Sequence, residues 1–117
     1  DSFSEGLAGV RLNGKYGFIN QSGKVIIPFK YDYVDSFSEG LARVELNGKY
    51  GFIDNTGKEI IPAIYDEVSS FSKGLAYVEL NYKCGVIDNQ GNAIIPLSIR
   101  PTDSRLYRSI YWSIVSE

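Results

Sequence analysis

Carboxylates recur along this chain at a fixed interval. Asp32 and Asp66, Glu45 and Glu79, and Asp54 and Asp88 are each 34 residues apart. Two acids facing one another across a sugar can hydrolyse a glycosidic bond when their carboxyls stand ~5–9.5 Å apart. A pair repeated with every unit would build several equivalent sites in one short chain, which is not how hydrolases are organised. The plainer reading is that Asp54 and Asp88 hold turns while the glutamates lie on a solvated strand face. The runs Asp54-Asn55-Thr56-Gly57 and Asp88-Asn89-Gln90-Gly91 lack the acidic alternation of a calcium loop. Turn chemistry explains them, because Asx side chains bond their own backbone and glycine takes the left-handed position. The glycines fit no phosphate-cradling pattern followed by a helix.

Histidine is absent, which removes the commonest general acid/base and metal ligand. The Ser/His/Asp and Cys/His arrangements are excluded with it. Cys84 is the single cysteine, so neither an internal disulfide nor a Cys/His zinc site can form. A small thiol at a core position is ordinarily inert, and Cys84 is read that way rather than as a reactive group. We expect no catalytic residue, metal ligand or cofactor, and hence no enzyme. A net charge of −2 disfavours nucleic acid, which needs a basic face, and a polybasic membrane-surface role. No apolar run reaches the ~18 residues of a membrane-spanning helix, and no signal peptide is visible. The cysteine count fits a reducing compartment and equally an exported domain, so localisation stays open.

The elements that carry these residues come from a repeat. Gly17, Gly51 and Gly85 share the 34-residue spacing, as do Phe3, Phe37 and Phe71, and Pro28, Pro62 and Pro96. Three units follow, residues 1–34, 35–68 and 69–102, forming one repeat domain, with residues 103–117 as a tail outside the pattern. The first two units agree at 25 of 34 positions, far beyond chance. Leu41-Ala42-Arg43-Val44-Glu45-Leu46 alternates in polarity, the period of a half-buried strand. Asn47-Gly48 then signals a two-residue hairpin, and Lys49-Tyr50-Gly51-Phe52-Ile53 a second strand. After the Asp54–Gly57 turn, a third strand should stop at Pro62, which cannot donate a ladder bond. Each unit is thus a three-stranded antiparallel meander. The link Ala63–Gly74 is expected to add a short strand or a helical turn.

A single meander of this size is marginal alone, so neighbouring units must cover its apolar side. Tyr16, Tyr50, Phe18, Phe52, Ile26, Ile27, the Phe3 set and Leu7, Leu41 and Leu75 form the expected core. The mid-strand glycines imply close approach of a backbone or a large side chain. The fold class is all-β: a tandem array of three meanders, open and solenoid-like or built of barrel-like units.

The phrase Lys-aromatic-Gly-Phe-Ile-Asp, then Gly-Lys-X-Ile-Ile-Pro, Tyr-Asp and Phe-Ser-Glu-Gly-Leu-Ala resembles the WG-repeat (KWG repeat) family of mainly bacterial proteins. Lys15, Gly17, Phe18 and Ile19 match it in unit one. Lys49, Gly51 to Asp54, Gly57, Lys58, Ile60 to Pro62, Tyr65 and Asp66 match in unit two, with Phe37–Ala42 between. The signature tryptophan is replaced by Tyr16, Tyr50 and Cys84. The resemblance implies a β-type interaction module with no catalytic site shared across the family.

Unit three has drifted, with Cys84, Val86 and Tyr82 at the tyrosine, phenylalanine and turn-glycine positions and Ile99-Arg100 in place of Tyr-Asp. Terminal repeats drift because one face meets no neighbour, so the tyrosine is expected to have lost its packing partner. In the tail, Leu106, Ile110 and Ile114 recur at helical spacing behind a Thr/Asp/Ser cap. A capping helix is expected over Ser104–Val115, with a strand as the rival. Trp112, the only tryptophan, either seals the last unit or anchors a partner.

Positions that differ between units mark a candidate partner surface: Arg43, Tyr77, Tyr33, Arg11, Glu45 and Glu79, with Trp112 added. A solvated face varies in the same way, but Tyr and Arg are common anchors at interfaces. The expected function is a protein–protein interaction module with an unknown partner. The alternative is a carbohydrate or cell-wall module stacking sugars on exposed tyrosines. An exposed row of Tyr16 and Tyr50 would favour sugar; their burial beside a charged variable face would favour protein. Self-association through an exposed array end is a further expectation, since a parent array, a partner chain or a second copy could cover it.

Overall fold

The computed structural model describes residues 3–99. The helix expected over Ser104–Val115, and Trp112 with it, lie outside the described residues. Eleven strands follow in order: β1 (Leu7–Leu12), β2 (Lys15–Asn20), β3 (Val25–Tyr31), β4 (Tyr33–Val34), β5 (Leu41–Leu46), β6 (Lys49–Asp54), β7 (Glu59–Tyr65), β8 (Glu67–Val68), β9 (Leu75–Leu80), β10 (Lys83–Asp88) and β11 (Ala93–Ile99). They form three antiparallel sheets, β1-β2-β3, β4-β5-β6-β7 and β8-β9-β10-β11. No helix occurs among the described residues.

Asn47 and Gly48 take φ of 55° and 79°, the paired left-handed conformation that a two-residue hairpin requires. Asn13-Gly14 repeats this, and Asn81-Tyr82 holds the same geometry without the glycine, Tyr82 standing at φ 65°. At the next turn the Asp54 carboxylate accepts from the Thr56 and Lys58 amides and the Thr56 hydroxyl. Gly57 there is at φ 89°.

Two features depart from expectation. The third strand does not stop at proline: β7 runs through Pro62 to Tyr65. Phe52 pairs with Ile61 and Tyr50 with Tyr65, so a bulge sits opposite Gly51. A bulge is where a sheet tolerates proline, because the ladder is already interrupted. It also explains the mid-strand glycine. A Cβ on Gly51 would lie 2.4 Å from the Ile61 carbonyl oxygen and 2.7 Å from the Pro62 carbonyl carbon. The backbone that approaches belongs to the unit's own third strand.

The link between units is a short strand rather than a helical turn, and it joins the following sheet. Tyr33 pairs with Glu45 and Val34 with Val44; Glu67 and Val68 repeat this against Glu79 and Val78. Phe37-Ser38-Glu39-Gly40-Leu41 then makes a tight turn closed by the Ser38–Leu41 bridge, with Glu39 at φ 54° and Gly40 at 79°.

The sheets stack face to face. Phe18, Ile27 and Tyr31 of the first sheet pack on Val34, Phe37, Ala42, Val44 and Ile53. One unit on, Phe52 and Ile61 pack on Val68, Phe71, Ala76, Val78 and Ile87. Rings cross each seam edge to face, Phe18–Phe37 at 4.8 Å and Phe52–Phe71 at 4.6 Å between centroids; such pairs add ~0.5–1.5 kcal/mol beyond burial. The middle sheet is therefore covered on both sides. Phe3, expected in the core with its two equivalents, is instead 44% exposed while Phe37 is 2% exposed. The reason is geometric: Phe37 packs on the phenylalanine of the unit before it, and among the described residues no unit precedes Phe3.

Candidate functional site

One variable position, Gly9 in unit one and Arg43 in unit two, lies at the seams between sheets, and packing there accounts for its variation. Arg43 on β5 faces β8. Its Nε donates to Asp35 Oδ2 at 2.6 Å, its Nη1 donates to the Val68 carbonyl at 3.0 Å, and its guanidinium lies 5.5 Å from the Tyr50 ring centroid. It ties the second sheet to β8 of the third. The equivalent Gly9 is small for a different reason: a Cβ there would lie 2.8 Å from Val34 Cγ2.

Tyr77 requires a correction. It was expected on an outward face but is 3% exposed. Its hydroxyl donates to Glu79 Oε2 at 2.7 Å and lies 3.4 Å from Cys84 Sγ. Cys84 is itself 2% exposed. Tyr77 pairs with Val86, which puts Cys84 on the neighbouring diagonal of the same face. An aromatic ring from β9 therefore lies against the small side chain that stands where the other units carry tyrosine. The ring was relocated across the hairpin rather than lost, and the alternation of one strand could not show this.

The remaining candidates are accessible. Arg11 is exposed, Glu45 and Glu79 are half-buried, and Tyr33 is 44% exposed. The registers Arg11–Tyr16 and Tyr33–Glu45, with a Tyr16–Tyr33 ring contact at 5.6 Å, join the candidates of units one and two along one edge, and Glu67–Glu79 repeats the Tyr33–Glu45 register in the third sheet. Glu67, at the position equivalent to Tyr33, lies on the same strand edge of the third sheet and was not among the expected partner residues. The Asp35 carboxylate, helped by partial burial, raises the Tyr33 phenol above its ordinary pKa. The edge runs from arginine and tyrosine in unit one to three glutamates in units two and three.

The recurring aspartates are engaged in structure. Asp32 accepts from Lys15 Nζ and, at 2.8 Å, from the Asn47 amide. Asp66 does the same for Lys49 and the Asn81 amide. These bonds, the lysine's first, hold both carboxyls below the usual range. The Thr56 hydroxyl lowers Asp54, and the Gln90 and Asn92 amides lower Asp88. A groove of about 540 Å³ between units two and three is lined by Glu39, Asp54, Lys58, Glu59 and Gln90. Of its acids, Asp54 holds its turn, and Glu39 accepts from the Lys73 and Gly74 amides. No cluster of metal-ligating side chains occurs among the described residues.

A tandem β-meander whose recurring residues serve turns and seams is a structural repeat. The family described as WG containing repeat matches residues 1–16, 16–50 and 50–84, and the chain belongs to it. The matched stretches run from one signature-aromatic position to the next, Tyr16 to Tyr50 to Cys84. Comparison with curated proteins and with solved structures gives no match.

Proposed function

We propose that this chain is a non-catalytic repeat module that binds another protein along the edge formed by Arg11, Tyr33, Glu45, Glu67 and Glu79. The observation that carries the reading is the division of labour among residues. Side chains that recur along the array are engaged in turns and seams, while this edge is accessible and changes from arginine and tyrosine in unit one to glutamate in the later units. Its mixture of tyrosine, arginine and carboxylates suits the polar, aromatic-anchored recognition of proteins. The three glutamates favour a partner segment carrying lysine or arginine.

Tyr16 and Tyr50 do not form the exposed row that sugar stacking on them needs. Tyr16 and Tyr50 are half-buried against the two cores. The Tyr16 ring contacts Tyr33, and Arg43 lies over Tyr50. A photo-crosslinking residue at Tyr33 tests the proposal in native extract, with one at exposed Lys24 as the control. A discrete protein adduct at position 33, absent at position 24 and weakened by Glu67→Lys, is the expected result. Adducts equal at both positions would count against the edge, and a glycan-array signal lost in Tyr33→Ala would replace the protein reading with the carbohydrate one.

A further inference from the structure

The two seams share a set of connectors, and every connector points the same way along the array. At the tight turns, Glu5 accepts from the Gly40 amide at 3.1 Å. Glu39 accepts from Lys73 and Gly74, both at 3.0 Å. At the hairpins, Asp32 reaches the Asn47 amide and Asp66 the Asn81 amide. In the core, Phe18 meets Phe37 and Phe52 meets Phe71. Each unit thus presents a forward side of Glu, Asp and Phe and a receiving side of turn amides, hairpin amide, Phe, Val and Ile.

Unit three has lost the forward set. The glutamate position is Lys73, the phenylalanine position is Val86 and the aspartate position is Arg100. Lysine and arginine side chains carry only donors and cannot accept from an amide. Unit one keeps the complete receiving set, uncovered among the described residues. Phe3 is 44% exposed. Val10 and Ile19 are half-buried, where their equivalents Val44 and Ile53 are both at 0% and Val78 and Ile87 at 1% and 4%. A Cβ on Gly57 would touch Ile27 of the preceding unit at 3.3 Å, whereas one on Gly23 meets nothing within 4 Å. The first sheet also has three strands where the others have four. The missing strand is the kind that the preceding unit's trailing dipeptide supplies to β5 and β9.

We infer that the outer side of the first sheet is a receiving surface for one further repeat unit, joined ahead of Asp1 in the same 34-residue phase and carrying the Glu, Asp and Phe connectors. The occupant is defined by the two seams already built. It must offer a carboxylate to the Gly6 turn, another to the Asn13 hairpin, a ring to Phe3 and a two-residue strand to β1. A unit continuous with Asp1 delivers the strand and the face together, as units one and two do at the seams already built. A second copy of this chain is a poor occupant. Its first two forward sides are engaged in its own seams, and its third carries cations where carboxylates are needed. This inference does not depend on what binds the Tyr33–Glu67 edge.

The test fuses a copy of residues 1–34 ahead of Asp1 and follows amide hydrogen exchange across Leu7–Asn20. Protection there should rise by roughly tenfold or more, toward that of Leu41–Asp54. A second fusion gives the added copy Glu5→Lys, Phe18→Val and Asp32→Arg, the changes unit three itself carries. It should protect the hairpin no better than the unfused chain does. Equal protection by both fusions, or by neither, would overturn the proposal. The unfused chain supplies an independent check by sedimentation: a monomer is expected, while a dimer that dissociates on Phe3→Ser would make a second copy the occupant and sink the inference.

Discussion

Units two and three share a backbone and differ in how it is filled. In unit two, Tyr50 lies beside Arg43 and Phe52 meets the ring of Phe71 across the seam. In unit three the tyrosine has become Cys84, the arginine Tyr77 and the phenylalanine Val86, yet Tyr77, Cys84 and Val86 are buried together at 3%, 2% and 0% exposure. Strand lengths and hairpin survive these exchanges, while the bulge narrows by one residue, Cys84 pairing with Ser98 where Tyr50 pairs with Tyr65. The comparison separates two kinds of residue. Glycines and turn acids define the meander, and the large side chains define what it stacks upon.

The sharpest probe of the first kind is the mid-strand glycine. Gly51→Ala should destabilise the chain by about 3 kcal/mol, because its Cβ would collide with backbone that cannot yield cheaply. The same change at Gly85 should cost less, about 1 kcal/mol, since the nearest atom lies at 2.7 Å rather than 2.4 Å and the next contacts beyond 3 Å. Urea unfolding of both variants checks the order. Equal costs would mean the bulge is equally tight in both units.

The second kind is probed by a double-mutant cycle. Cys84→Tyr alone should cost about 2 kcal/mol by overpacking, because the Tyr77 ring lies against that thiol. In a Tyr77→Arg background, which restores the unit-two pairing, the same change should cost at least about 1 kcal/mol less. Additive costs would show that the two positions do not share one space, and the relocation argument would fail.

Much of this was legible in the sequence, for stated reasons. Alternation in Leu41–Leu46 and the Asn-Gly dipeptides specify the first hairpin of units one and two directly, because side-chain period and turn geometry are local properties. The Asp54 and Asp88 turns were legible for the same reason. Three features were not. The strand through Pro62 depends on a bulge opposite Gly51, a cross-strand relation. The Glu39 carboxylate accepts from the Lys73 and Gly74 amides of the next unit, a contact between units that its own turn does not announce. The burial of Tyr77 depends on its diagonal neighbour Cys84. All three are pairings between segments, and a pattern read along one strand does not contain them. The partner edge was legible as variation alone, and the seams then removed Tyr77 from it and gave Arg43 a role within the fold.

A smaller effect separates the hairpins. Tyr82 is a bulky residue in the left-handed conformation at 79% exposure, where its side chain gains little packing. Tyr82→Gly should raise stability by about 1 kcal/mol, the usual relief of such strain. Gly48→Tyr in unit two should lower it by a similar amount, and thermal unfolding of the pair tests both signs. A loss on Tyr82→Gly would mean that the ring contributes more than its exposure implies.

The smallest expected effect concerns pH and falls on the seams. Lys15 and the Asn47 amide lower Asp32, and Lys49 and the Asn81 amide lower Asp66. A carboxyl whose folded pKa lies below its unfolded value, about 3.9, binds fewer protons folded than unfolded in that window. Its stabilising contribution is complete above the unfolded value and disappears as pH falls through the folded one. Both seams should therefore weaken on acidification below about pH 4, while the corresponding place after unit three carries Arg100 and has no such acid to lose. Asp32→Asn with Asp66→Asn should flatten the acid limb of the stability profile, and only the smaller part of that flattening should persist in high salt. Salt screens the half-exposed lysine pairs but leaves the amide bonds to Asn47 and Asn81 in place. An acid limb unchanged in the double variant would assign the loss to the turn acids Asp54 and Asp88, and the aspartates at the seams would then be connectors by geometry without being connectors by energy.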